Sequence, residues 1–367
     1  MKNKVGLLSF FSGSGFLDLG FEDQGFDVCF VNEYHTPFMD AYKYSRAKLG
    51  KNSPKYGYND HSIDELLDGT QTEGFSTVID KAKADYKLIG FIGGPPCPDF
   101  SVGGKNKGAE GDNGRLTKSY VKLIIKHSPD YFIFENVKGL WRTKRHREFY
   151  DSFKLELEAQ GYEITDRLTN SIEFGVAQDR DRIFMVGVKR ELLKGKSNIE
   201  DFNWQLNLRY TLNDVMNKSR WPEKDKFAEG SVVEPAVDKD LIPLTVNYWF
   251  EKNNVLNHPN SQNFFKPKSD KIKIIQEGDD SKKSFKRLHR WRYSPTAAYG
   301  NNEVHLHPFK ARRISAAEAL AIQSLPKDFE LPKEMTLTNM FKTIGNGVPY
   351  LAAKGLAGSV KDFLDKL

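Results

Sequence analysis

A chain of 367 residues with 39% hydrophobic content is long enough for two domains around a substantial core, which excludes a disordered or fibrous class. Its formal net charge of +6 and pI near 8.9 mildly favour a polyanionic partner, without the excess of a histone-like protein. Two cysteines, Cys29 and Cys97, exclude a disulfide scaffold and an unaided tetrahedral zinc site, so no metal is expected, and without a signal-peptide profile or a membrane-length apolar run a reducing cytoplasm fits best.

Val5 to Phe11 reads as a buried strand, and Ser12-Gly13-Ser14-Gly15-Phe16 as a glycine turn into a helix over Leu17 to Gln24. Glycines let backbone approach a ligand closely, and a helix N-terminus offers unpaired N–H groups, although many such turns hold no ligand. A second strand, Phe26 to Val31, contains Cys29 as a core residue and ends in Asn32-Glu33-Tyr34. That places an acid about 20 residues beyond the glycine turn, where a carboxylate accepts hydrogen bonds from ribose hydroxyls. Asp60 lies in the turn Tyr58-Asn59-Asp60-His61, ahead of a short helix from Ser62 to Leu67 capped by Ser62. There it either meets a ligand's amino group or serves the turn.

The fourth strand, Leu88 to Ile92, runs into Gly93-Gly94-Pro95-Pro96-Cys97-Pro98-Asp99-Phe100-Ser101. Two prolines fix φ and remove two donors, so the chain leaves the strand abruptly with Cys97 on a stiff turn. A thiol there is either a nucleophile, provided nearby positive charge favours its thiolate, or a small buried hydrophobe. The glycine-rich basic segment that follows, with Lys105 and Lys107, reads as a loop able to close over a substrate. A helix over Leu116 to His127 precedes the strand Asp130 to Phe134, which ends in Glu135-Asn136-Val137. Glu135 thus shares the C-terminal edge of a parallel strand with Glu33 and Cys97, the edge where open α/β sheets bind ligands. A carboxyl buried there has its pKa raised and serves as a proton donor.

A helix over Arg147 to Gln160 and a strand over Tyr162 to Asn170 lead to Gln178-Asp179-Arg180-Asp181-Arg182 and the strand Ile183 to Val188. Two arginines entering the sheet edge supply positive field near a thiolate or a carbonyl. From Glu191 the βα alternation stops, and a second domain is expected. It ends in Lys282 to Tyr293, which carries six Lys/Arg and no acid among aromatics. Lys286, Arg287, Arg290, Trp291 and Arg292 suit phosphate contact and base stacking, if they are not simply a solvated face. Ser315 and Glu318 have capping-box spacing before a helix over Ile314 to Leu325, and Gly345-Asn346-Gly347-Val348 leads into a last helix, Tyr350 to Leu364.

In this order, Phe11-Ser12-Gly13-Ser14-Gly15, Asn32-Glu33-Tyr34, Gly94-Pro95-Pro96-Cys97, Glu135-Asn136-Val137, Gln178 to Arg182, Arg313 to Leu325 and Gly345 to Val348 resemble the DNA (cytosine-5) methyltransferase family of prokaryotic restriction-modification type. The match spans nearly the whole chain. It implies an α/β fold: a methyltransferase-type Rossmann sheet, mostly parallel with helices on both faces, and a smaller irregular target-recognition domain. The corresponding division is a catalytic and cofactor-binding domain over 1–190, target recognition over 191–337, and a return to the catalytic domain over 338–367.

The resemblance implies S-adenosylmethionine held by Phe11, Gly13, Gly15, Glu33, Tyr34, Asp60, Pro96, Leu116 and Asn346. Carbon 5 of cytosine is a poor nucleophile until something adds at carbon 6. Cys97 is the implied adder, Glu135 holds and protonates ring nitrogen 3, Arg182 binds the carbonyl oxygen and Arg180 supports the field. The base must leave the duplex for this to occur. Ser101, Lys105 and Lys107 would gate and touch the DNA. The implied partners are duplex DNA and a cognate restriction endonuclease, for a monomeric enzyme. Phe16 departs from the family pattern where a second glycine is frequent, Pro98 where glutamine is usual, Ala177 where proline is frequent, and Gly347 where serine or alanine is frequent. An RNA cytosine methyltransferase of the same family, an inactive DNA-binding relative and a dinucleotide-dependent oxidoreductase are the competing expectations.

Overall fold

The computed structural model describes residues 4–96, 112–266, 269–297, 299 and 303–367. Its centre is a seven-stranded sheet of β1 (Val5–Phe10), β2 (Asp27–Asn32), β3 (Tyr58–Asn59), β4 (Leu88–Gly93), β5 (Tyr131–Val137), β6 (Tyr162–Asn170) and β7 (Asp181–Lys189), in the order β3-β2-β1-β4-β5-β7-β6. The first five strands are parallel, whereas β7 runs antiparallel to both neighbours. Every residue of β1 and β4 is buried, as expected of parallel strands covered on both faces.

The helices in chain order are α1 (Phe16–Glu22), α2 (Thr36–Lys48), α3 (Ile63–Asp68), α4 (Thr72–Asp85), α5 (Asp112–His127), α6 (Lys138–Arg142), α7 (Lys144–Ala159), α8 (Arg190–Leu193), α9 (Leu212–Val215), α10 (Val246–Lys252), α11 (Ala316–Ile322), α12 (Leu337–Asn346) and α13 (Tyr350–Leu364). Strand residues alternate between two apolar layers. Leu8, Phe10, Phe91 and Phe134 pack with Phe75 of α4, Leu123 of α5 and Phe153 of α7. Leu7, Ile92 and Ile133 face the other way, toward Phe21 of α1, Met39 of α2 and Leu356 of α13. Gly20 lets α13 lie directly on α1, since a Cβ there would sit 2.5 Å from the Lys354 nitrogen.

Ser62 caps α3 through the Asp64 N–H, as its position predicts. The Ser315 and Glu318 capping box also forms at α11, and Arg312 adds two bonds of 2.8 and 2.7 Å to the buried Glu318 carboxylate. Burial opposes the charge, but Arg312 and His307 hold that carboxyl well below the ordinary range. Between α8 and α12 the described residues form short helices, 3-10 turns and isolated bridges such as Asp225 with Glu277. A third apolar layer joins Trp249 and Ile314 from this region, with Phe341 of α12, to Phe16 and Leu19 of α1.

Two details differ from the sequence reading. β5 extends to Val137, so Glu135 lies inside the strand, because β7 continues the ladder by pairing Glu135 with Phe184 and Val137 with Arg182. The antiparallel direction of β7 also brings its first residues, and not its last, to the C-terminal end of β5.

Candidate active site

The chain leaves β1 to one side, toward β2 and β3, and returns through β4 on the other, so the β1–β4 pair is the switch point of the sheet. Ligand crevices in open α/β sheets form outside the strand ends at such a point. The glycine turn and the Pro-Pro turn are neighbours there, because Phe10 pairs with Gly93.

The turn after β1 bends through three left-handed residues, Phe11 at φ 53°, Gly13 at 56° and Gly15 at 78°. A left-handed phenylalanine costs about 1–3 kcal/mol, a strain the surrounding packing must hold. Its ring meets Tyr120 edge-on, with centroids 6.2 Å apart. Below the turn the fully buried Arg46 donates to the Gly15 carbonyl at 2.7 Å, pairs with Glu22 at 2.8 Å and stacks on Tyr42. Glu33 braces the turn from β2, accepting from the Gly13 N–H at 2.8 Å and the His35 N–H at 2.8 Å. Burial pushes its carboxyl up, and those two N–H groups pull against the shift. Each carboxylate oxygen keeps a further lone pair for a ligand.

The other expected cofactor residues gather at this edge. Tyr34 is 71% exposed beside Glu33. Asp60 is exposed and directly follows Asn59, whose carbonyl accepts the Glu33 N–H. Asn346 is exposed at the end of α12, a helix fastened to the turn by the buried Ser14–Thr343 bond of 2.7 Å. Pro96 and Leu116 are half-buried on the β4 exit and on α5.

At the end of β5 the Glu135 carboxylate is 8% exposed and lies 2.9 Å from Arg182 Nε, an ion pair whose N–H is poorly aligned for a hydrogen bond. Burial pushes the Glu135 carboxyl up, against the charges of Arg182 and Arg180. The carboxylate also lies against Gly94, where an added Cβ would be 2.5 Å from Oε2. Gly94 therefore lets the acid stand beside the chain leading to Cys97. Cys97, Ser101, Lys105 and Lys107 lie outside the described residues.

Arg180 departs from its expected catalytic place. It is fully buried, donating to the carbonyls of Ala297 at 3.3 Å and Gly345 at 2.7 Å, so it ties the entrance of β7 to two distant segments. Gln178 and Gln323 complete this clamp through a mutual bond of 3.2 Å.

Two departures from the family pattern explain each other. A Cβ at Gly347 would fall 2.3 Å from the Phe16 ring, so the phenylalanine occupies the volume that serine or alanine would need. Gly347→Ala is expected to lower unfolding stability by about 1–3 kcal/mol through overpacking. The same change should cost less beside Phe16→Leu, and equal costs in a double-mutant cycle would refute the pairing.

The basic run is corrected by burial. Arg287 is 1% exposed and points its guanidinium at the carbonyls of Ile275, Ile272, His307 and Lys310. Arg290, 4% exposed, bonds both oxygens of the buried Glu277 at 2.8 Å, and Trp291 donates inward to the Val233 carbonyl at 3.0 Å. These three side chains build the region and are not presented to a polyanion. Lys286 and Arg292 are half-buried. Arg290→Ala should cost about 3–5 kcal/mol in chemical denaturation, since it strands Glu277 as a buried charge. Undiminished stability would show the pair to be dispensable.

Sequence reasoning missed Arg46, Thr343 and the spatial role of Gly94. Arg46 stands 31 positions from the carbonyl it holds, and no local spacing announces such a contact.

The sequence pattern of the family described as C-5 cytosine-specific DNA methylase matches residues 5–362. The chain is 55% identical to Type II methyltransferase M.NmeDI of Neisseria meningitidis serogroup C, over 99% of this chain and 85% of that protein. It is 29% identical to Type II methyltransferase M.FnuDI of Fusobacterium nucleatum, over 98% of this chain and 94% of that protein. Among solved structures, the S. pombe Dnmt2 methyltransferase superposes with a TM-score of 0.59 at 14% identity, covering 99% of each chain, a likeness of fold. No helix among the described residues is long and apolar enough to cross a membrane. With an acid and an arginine paired at the switch-point edge and a family match over almost its whole length, the chain belongs to the C-5 cytosine-specific DNA methylases and is an enzyme that methylates DNA cytosine.

Proposed function

We propose that the methyl donor is S-adenosylmethionine and that the enzyme modifies one cytosine of a specific duplex sequence in restriction-modification. The observation carrying this reading is the pairing of Glu135 with Arg182 beside Gly94, next to a strained glycine turn braced by Glu33. The turn fits the cofactor: Glu33 keeps lone pairs for ribose hydroxyls, while Phe11, Tyr34, Pro96 and Leu116 offer apolar surface and Asp60 and Asn346 polar groups. Bound there, S-adenosylmethionine supplies an electrophilic methyl group.

The protein's own residues do the rest. Cys97 adds as thiolate to carbon 6 of the flipped cytosine while Glu135 gives a proton to ring nitrogen 3, so the electron pair moves to carbon 5 as an enamine. Arg182 holds the Glu135 carboxylate and reaches the base carbonyl. After methylation the carbon 5 proton is lost to solvent, the ring double bond re-forms with expulsion of Cys97 as thiolate, and ring nitrogen 3 returns its proton to Glu135. Residues 1–190 with 338–367 form the catalytic unit in this reading, and 191–337 select the target. A cognate endonuclease would share the site, and the enzyme acts as a monomer in the cytoplasm.

Labelled S-adenosylmethionine incubated with duplex DNA or with transfer RNA tests the reading. Label in the duplex, mapped by bisulfite sequencing to one sequence context, is the expected outcome. Label in the RNA alone would overturn it.

A further inference from the structure

The bond between Ser14 and Thr343 has features that packing alone does not require. Both residues are 2% exposed, and their hydroxyls meet at 2.7 Å across 329 positions of sequence. Two apolar side chains of the same shapes would fill that contact without the desolvation that buried hydroxyls carry. Ser14 also stands between the left-handed Gly13 and Gly15, at the bend of the turn after β1. The N–H groups of Ser12, Gly13 and Gly15 are taken by Asn32, Glu33 and Ser12, whereas that of Ser14 meets no acceptor among the described residues.

The far side of the bond carries the other half of the site. Thr343 lies in the last turn of α12, where its carbonyl accepts the Gly347 N–H at 3.0 Å. Asn346, three residues on, is exposed at the end of the helix. The Phe16 ring against Gly347 is a second contact between the same two pieces. That apolar contact is not directional, whereas a hydrogen bond fixes both distance and direction. The turn and the helix come from opposite ends of the chain, so tertiary contacts must set the gap between them.

We propose that Ser14 and Thr343 are positioning residues of the cofactor site, their hydrogen bond setting the distance between the glycine turn and Asn346 so that both serve one S-adenosylmethionine. This rests on S-adenosylmethionine being the methyl donor, and adds the device that joins the two halves of its site. Binding groups work only when held to within about 0.5 Å of their productive places, and buried supporting hydrogen bonds supply that precision.

The test is calorimetric binding of S-adenosylhomocysteine, beside chemical denaturation of the cofactor-free protein, for the wild type, Thr343→Val, Thr343→Ser and Ser14→Ala/Thr343→Val. Thr343→Val leaves the Ser14 hydroxyl buried without a partner, so stability and affinity should both fall, affinity by about 3–10-fold, the scale of one hydrogen bond. The double variant removes both hydroxyls, which should restore most of the stability. Its affinity should stay low, because nothing then fixes the gap. Thr343→Ser keeps the hydroxyl and should recover most of the affinity. Wild-type affinity in the double variant, or affinity that follows stability through the whole series, would overturn the positioning role. Failure of the wild type to bind S-adenosylhomocysteine would instead overturn the reading of the cofactor on which it rests.

Discussion

Cys97→Ser is expected to remove methyl transfer, lowering kcat by about 10⁴–10⁶-fold, the scale on which loss of a covalent nucleophile acts. A thiol becomes thiolate near neutral pH, whereas an alcohol does not, and without addition at carbon 6 the cytosine carbon 5 has no electron pair to offer. Positive charge favours the thiolate, and Arg182 supplies it at the sheet edge where it pairs with Glu135. DNA affinity should survive in the variant, because the substitution removes no cation that a phosphate would meet. Steady-state transfer of labelled methyl groups, set beside duplex binding, separates the two effects. Full activity in Cys97→Ser would refute the covalent route.

Glu135→Gln should lower kcat by about 10²–10⁴-fold, the usual contribution of a positioned proton donor. The amide keeps the shape of the acid but cannot deliver a proton to ring nitrogen 3, and it leaves Arg182 without its 2.9 Å partner. The pH profile gives the sign. Burial raises the Glu135 carboxyl above its ordinary value, so the donor is protonated at low pH and its form is lost as pH rises through that raised pKa. The wild type should therefore show an alkaline fall in rate that the glutamine variant lacks. An unchanged alkaline limb in Glu135→Gln would assign the titration to another group.

Gly94→Ala offers a milder check of the same geometry, since its Cβ would push the carboxylate from a distance of 2.5 Å. A drop in kcat with little change in unfolding stability is expected, read from parallel turnover and denaturation measurements. A loss of stability with kcat preserved would mean that Gly94 serves the fold alone.

The parallel core was legible because β1 and β4 are short apolar runs bounded by glycine and proline, a pattern that buried strands produce. The acids at the strand ends were legible for the same reason. The direction of β7 was not, since Ile183 to Val188 announces a strand without saying which neighbour it pairs or in which sense. That direction puts Arg182 opposite Val137 and hence beside Glu135. Charge counting misread Arg287 and Arg290, because their partners are backbone carbonyls and a glutamate 13 positions upstream, which turn a basic stretch inward.

The central claim is that a cysteine adds transiently to a flipped cytosine, and a duplex carrying 5-fluorocytosine at the target tests it most directly. Fluorine at carbon 5 cannot leave as a proton does, so the ring cannot re-form its double bond and expel the thiol. With S-adenosylmethionine present, the account predicts a stable protein–DNA adduct whose peptide mass maps to Cys97, and none with Cys97→Ser. Methylation of ordinary duplex without any adduct on the fluorinated one, or an adduct at another residue, would contradict it.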